Sequence, residues 1–148
     1  MNIQQTLTED MKNSMKAGEA DRTGVLRLLR GAIKNEEIKT GHPLAQDEAL
    51  KVLQREAKQR RDSIAAYDAA GRADLKQVEQ NELGIIEAYL PDAMSEADLK
   101  DVIESVVAEL GTTDKQQMGQ VIGAVMKRAG ARAEGGLVSR LVRERLGA

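Results

Sequence analysis

In Met118-Gly119-Gln120-Val121-Ile122-Gly123-Ala124-Val125-Met126, the residues Met118, Val121, Ile122, Val125 and Met126 stand at i, i+3, i+4, i+7 and i+8. That is the spacing of one face of an α-helix, and it sets the reading of the chain as all-α. Outward from it, Gly130-Ala131-Arg132-Ala133-Glu134-Gly135-Gly136 is a glycine-rich basic connector. Leu137-Val138-Ser139-Arg140-Leu141-Val142-Arg143 then opens a last helix to about Leu146, burying Leu137 or Val138 with Leu141, Val142 and Leu146. The charge changes sign here: from residue 111 to the end, seven Lys/Arg face three Asp/Glu, a net +4. The chain as a whole is −2, which leaves −6 for residues 1–110. A basic module on an acidic helical body is a candidate for touching phosphate.

The rest of the chain repeats the helical period. Ile3, Leu7, Met11 and Met15 are four apart before Gly18. Asp21 is placed to cap a second helix whose face includes Val25, Leu28, Leu29, Ala32 and Ile33, ending near Gly41-His42-Pro43. A long third helix runs from about Gln46 to Ala70 with Leu50, Leu53, Ala57, Ile64 and Tyr67. A fourth, about Asp74 to Ala88, turns Leu75, Val78, Leu83, Ile86 and Tyr89 inward. Leu90-Pro91 closes this unit. Ser95 and Asp98 form a capping-box pattern for a fifth helix, Glu96 to Leu110, burying Leu99, Ile103, Val106, Val107 and Leu110. The expected organisation is an N-terminal four-helix domain, 1–91, and a small three-helix C-terminal domain, 95–148.

Composition narrows the function. There is no Cys, Phe or Trp, and Tyr67 and Tyr89 are the only aromatics. Thiolate catalysis, disulfides and thiolate metal sites are excluded, and the missing cysteine agrees with a cytoplasmic home, which is the expectation. The start, Met1-Asn2-Ile3-Gln4-Gln5, lacks the pattern of a signal peptide, and no apolar run is long enough to span a membrane. Base stacking on aromatic platforms has almost no material here, so any RNA would be read by backbone and shape.

Candidate catalytic groups read as ordinary surface. The single histidine, His42, lies between Gly41 and Pro43 in a turn. Glu79 and Glu82 are three apart on one helix, as many surface acids are, and neither Ser63 nor Ser139 has a histidine partner in a motif. No catalytic residue, metal site or cofactor is expected. A basic stripe on the third helix (Lys51, Arg55, Lys58, with Arg60 and Arg61) reads as a solvated, salt-bridged face, Glu48 and Asp62 neutralising its ends.

Two features carry the binding expectation. Gly119 and Gly123, at small-xxx-small spacing, offer a docking face for a closely approaching helix. Gly135 and Gly136 stand at the start of the last helix, where free N–H groups suit a phosphate, or else form a turn that needs positive φ. Arg132, Arg140 and Arg143 are the leading RNA-binding residues, with Lys127 and Arg128 behind them.

Arg27-Leu28-Leu29 with Ala32-Ile33-Lys34, Lys58-Gln59-Arg60-Arg61-Asp62-Ser63-Ile64, Ala70-Gly71-Arg72-Ala73-Asp74-Leu75, Glu79 and Glu82, Tyr89-Leu90-Pro91, Met118-Gly119 with Gly123 and Val125-Met126, and the basic connector follow one another in a specific order. Together they resemble, from end to end, the YqeY family, stand-alone proteins similar to the tail of GatB, the B subunit of the tRNA-dependent amidotransferase. The family's connector is commonly Arg-Ala-Asp-Gly, so Glu134 here departs from a short carboxylate cap. The resemblance implies a helical N-terminal domain with a small three-helix C-terminal domain, and the leading expectation is a non-catalytic tRNA-binding accessory protein, similar to that tail, that holds structured RNA by phosphate and shape. The alternatives are a protein–protein adaptor without RNA binding, or one subunit of an amidotransferase-like complex (a glutamine-dependent carbon–nitrogen ligase) whose active sites lie on partners.

Overall fold

The computed structural model describes residues 1–147, and its regular elements are seven α-helices and two 3-10 turns, with no strand among the described residues. The helices are α1 (Ile3–Ala17), α2 (Ala20–Thr40), α3 (Gln46–Ala69), α4 (Ala73–Glu87), α5 (Glu96–Leu110), α6 (Met118–Ala129) and α7 (Gly135–Leu146). Short 3-10 turns, Lys115–Gln117 and Gly130–Arg132, precede and follow α6. The chain divides into two compact units between Leu90 and Pro91, so that α1–α4 fall in the first and α5–α7 in the second.

In the first unit Asn2 caps α1, its side chain accepting from the Gln5 N–H while Gln5 returns a bond to the Asn2 N–H. Gly18 ends α1 in the left-handed conformation, φ 74°, where a side chain would be strained. The α1–α2 corner is held by buried hydroxyls: Ser14 and Thr23 share a hydrogen bond at 2.7 Å, and the one that does not donate to its neighbour donates to the Glu19 carbonyl, 3.0 Å from Ser14 Oγ and 2.9 Å from Thr23 Oγ1. The core gathers Ile3, Leu7, Leu26, Leu29, Ile33, Val52, Leu53 and Ile86.

Particular expectations need correction here. α2 begins at Ala20 and has no side-chain cap, so Asp21 lies in its first turn and does not cap it. Leu28 is 44% exposed while Leu26 is fully buried. Leu26, Leu29 and Ile33 lie at i, i+3, i+7, and Leu28 is about 100° off that stripe. Val78, Met15 and Leu110 are likewise exposed.

The second unit packs α5, α6 and α7 around Leu99, Ile103, Val106, Val121, Val125, Val138, Leu141 and Val142. Of the two candidates at the start of α7, Val138 is fully buried and Leu137 packs partly exposed at the edge. Ser95 caps α5 by accepting from the Asp98 N–H at 3.0 Å. Asp114 caps the turn before α6 by accepting from the Gln116 N–H at 2.9 Å.

Candidate nucleic-acid interface

The basic connector of the second unit is a tied-down structure. Residues Gly130–Arg132 form the 3-10 turn, entered through Gly130 at φ 58°, ψ −138°, a backbone region that only glycine adopts readily. The turn is fastened to the segment that leads into α5. The Met94 N–H donates to the Arg132 carbonyl at 2.8 Å, and Arg132 Nε donates to the Asp92 carbonyl at 3.2 Å. Arg132 therefore anchors the connector with one N–H while its remaining guanidinium donors meet no carboxylate among the described residues.

Gly135 and Gly136 are the first two residues of α7, and neither has positive φ, so the turn reading of this pair is corrected. Glu134 is the N-cap: its carboxylate accepts from the Gly136 N–H at 3.0 Å and from the Leu137 N–H at 3.1 Å. The N–H groups expected to receive a phosphate are thus already held by an internal carboxylate, whose charge also satisfies the positive end of the helix. A longer Glu side chain does here what a short carboxylate cap does elsewhere, because it can fold back over its own helix start.

The five basic candidates separate by partner. Arg128 pairs with Glu109. Arg140 donates to Glu144 at 2.9 Å and to Glu96 at 3.4 Å, and these contacts, Glu144 first, raise its already high pKa. Arg145, which sequence reasoning passed over, is raised in the same way by Glu104. Lys127 and Arg143 are exposed and pair with no carboxylate among the described residues, and Arg132 binds only a neutral carbonyl. The acids Glu96, Glu104 and Glu109 all stand on α5. The +4 computed from residue 111 onward therefore does not describe the folded unit. From residue 91 onward, eight Lys/Arg face nine Asp/Glu, and helix packing brings the two sets together. Exposed pairs of this kind contribute only about 0–1 kcal/mol each, so a phosphate can take over such an arginine at little cost.

On α6, Gly119 and Gly123 are exposed, and a Cβ built at either would meet nothing within 4 Å. Close approach of another helix of this unit is therefore not what these glycines serve. They lie beside Met118, Ile122 and Met126, each only partly buried, on one flank of the helix.

The third-helix stripe is paired except at Lys51, which meets no carboxylate among the described residues, and Glu48 pairs with none of its cations. Arg55 meets Glu36, Lys58 meets Asp62 and Arg61 meets Glu87. Arg60 is 7% exposed and sits between Glu56 at 2.6 Å and Glu82 at 3.2 Å. His42 Nδ1 lies 2.8 Å from the Pro43 carbonyl, and Nε2 lies 3.9 Å from Glu48. Among the described residues no group of three or more His, Asp or Glu is placed to hold a metal ion, and no helix is long and apolar enough to cross a membrane. The cations that sequence reasoning missed are Arg27, Arg30 and Lys34, which line a groove beside α2. Their i, i+3, i+7 spacing was the available signal.

Comparison with known proteins gives the family. The family model described as Yqey-like protein matches residues 4–146, and the chain belongs to that family. A protein of Pyrenophora tritici-repentis named "Altered inheritance of mitochondria protein 41, mitochondrial" is 29% identical over 96% of this chain and 80% of its own length. Proteins of the same name from Meyerozyma guilliermondii and Saccharomyces cerevisiae (strain YJM789) are 33% and 30% identical. They are matched over 81% and 80% of this chain and 65% and 68% of theirs. These names overturn the cytoplasmic expectation, since they point to mitochondria. The absence of cysteine does not separate those two compartments.

Proposed function

We propose that this member of the YqeY-like family is a non-catalytic accessory protein that holds structured RNA, tRNA first, by its sugar–phosphate backbone. The observation that carries the reading is the unneutralised set Lys127, Arg132 and Arg143, standing on the last turn of α6, the connector and α7. These three cations, left without carboxylates in a unit whose other arginines are paired, form a polyanion contact, and Lys115 in the turn before α6 is likewise without an ion pair among the described residues. Arg128 and Arg140 join by exchanging their exposed acids for phosphate. Gly135 and Gly136 contribute by leaving the start of α7 without side chains. The sequence resemblance to the amidotransferase tail implies a holding role, and the relatives named as mitochondrial make organellar tRNA the first pool to offer.

The test is a titration of labelled tRNA with the full chain at low and moderate salt, beside an unstructured RNA of equal length. Saturable, salt-sensitive binding that prefers tRNA, and its loss in Arg132→Glu with Arg143→Glu, is the expected result. No binding at low salt, where even non-specific attraction shows, would sink the reading.

One observation favours a second reading. The open Gly119–Gly123 strip beside Met118, Ile122 and Met126 has the shape of a seat for a partner helix, so an adaptor without RNA binding is the alternative. The same arginine double variant leaves such a contact intact.

A further inference from the structure

In the first unit, Arg27, Arg30 and Lys34 lie at i, i+3 and i+7 on α2, within about 60° of one another around the helix. They line one open groove of about 540 Å³ together with Gln4, Gly31 and Glu37. All three are exposed, and none forms an ion pair with a described carboxylate. Arg30 Nη1 lies 3.5 Å from Met11 Sδ, a weak acceptor that leaves its charge unneutralised. Glu37, the acid of the lining, accepts the Leu44 N–H at 3.0 Å, which fixes its carboxylate at the loop end of the groove. On the α3 stripe, by contrast, Arg55, Lys58, Arg60 and Arg61 have acidic partners and Lys51 is the exception.

The floor between the cations is low. Gly31 lines the groove beside the cations, and a Cβ there would meet nothing within 4 Å. Glycine in a helix interior destabilises relative to alanine, and this position does not have positive φ. A ligand backbone lying close against the helix gives it a use. From Arg27 to Lys34 the helix rises about 10 Å, more than one phosphate group spans, so the stripe suits consecutive phosphates of a chain. A groove also fits a rounded strand better than a flat lipid surface.

We infer that this α2 groove is a second RNA-backbone surface, with Arg27, Arg30 and Lys34 as its phosphate contacts. The identity of the polyanion rests on the RNA reading above, while the site is separate from the residues of that reading.

The experiment uses the full chain and labelled total tRNA over a salt series, with vesicles rich in anionic phospholipid as a second probe. The variants are R27Q/R30Q/K34Q, the charge-preserving R27K/R30K, and K127Q/R143Q in the second unit. Each lost phosphate contact lowers the slope of log K against log salt by about one. The triple variant is expected to lose about two to three from that slope and at least about tenfold in affinity at low salt. R27K/R30K should stay within about twofold of wild type, which separates lost charge from lost folding. A triple variant with wild-type slope overturns the inference, and if K127Q/R143Q alone loses binding, the proposed function stands without it. Loss in the triple variant alone supports the groove and unseats the second-unit assignment. Absence of tRNA binding by wild type overturns both, and a triple variant that loses only vesicle binding makes the groove a lipid contact and overturns the RNA assignment.

Discussion

The carboxylate of Glu134 accepts from the N–H of Gly136 at 3.0 Å and closes the start of α7 from inside the chain. Two consequences oppose each other. The cap stabilises the helix, and its negative charge stands where a phosphate would have to enter. Glu134→Ala is therefore expected to destabilise the second unit by about 1 kcal/mol, and to strengthen tRNA binding about two- to fivefold by freeing the helix end. Denaturant melts and a low-salt titration of the same preparation check both. Weaker binding with a lost cap would mean that Glu134 orders the interface more than it repels the ligand.

The neighbouring glycines are expected to differ from each other. A Cβ at Gly135 meets nothing within 4 Å, whereas one at Gly136 lies 2.9 Å from Glu134 Oε1. Neither position has positive φ. Gly135→Ala should raise stability by up to about 1 kcal/mol through helix propensity. Gly136→Ala should gain nothing, because the same propensity is offset by displacing the cap. The difference in melting temperature between the two variants decides it.

On α6 the open strip makes a similar forecast with a functional edge. Gly119→Ala and Gly123→Ala meet no obstruction, so each is expected to stabilise the free protein by about 1 kcal/mol. If the strip seats a partner helix, the same changes weaken that complex. Variants more stable and unchanged in every binding assay would leave the glycines without an adaptor role.

The helical period made most of the architecture legible. In α6 the spacing of Val121, Val125 and their neighbours is the core face itself. What the period could not supply was pairing across helices. Arg128, Arg140 and Arg145 look like a free basic cluster in a linear reading, because Glu109, Glu96 and Glu104 come from a helix 19 to 44 residues earlier. Gly130 and Gly135 look alike in sequence, yet only Gly130 has positive φ. Arg60, read as one more surface cation, is buried because α4 closes over α3 and brings Glu82 to it. Arg27, Arg30 and Lys34 were passed over because they are interleaved with core leucines and isoleucine and form no run.

That buried Arg60 makes a stability prediction. Its guanidinium bridges Glu56, itself largely buried, and the more open Glu82. Removing it alone strands the Glu56 carboxylate in a dry site, so Arg60→Ala should cost about 2–4 kcal/mol. Arg60→Met combined with Glu56→Gln removes both charges at similar volume and should recover at least half of that loss. Equal losses in the single and double variants, by chemical denaturation, would place the energy in packing of the Arg stem and not in the charge pair.

Tyr89 ties the end of the first unit to its beginning, and it does so with a sign that pH can read. Its hydroxyl donates to Asp10 Oδ2 at 2.6 Å and accepts from Arg22 Nη2 at 3.2 Å. Burial first, then the hydrogen bond to Asp10 and that carboxylate's charge, push its pKa from 10.0 up to about 12, against the opposing pull of Arg22. The folded state thus holds the phenol proton after the unfolded chain has released it. The contribution is fully present below about pH 10 and is lost as pH rises through about 12. Between those values the unfolded state binds fewer protons, so stability falls with rising pH. Denaturant midpoints measured from pH 9 to pH 12 should therefore fall more steeply for wild type than for Tyr89→Phe, which has no proton to lose at this position. Parallel curves would show that the hydroxyl ionises as easily in the folded protein as in the unfolded one, and that the Asp10 contact does not hold the proton.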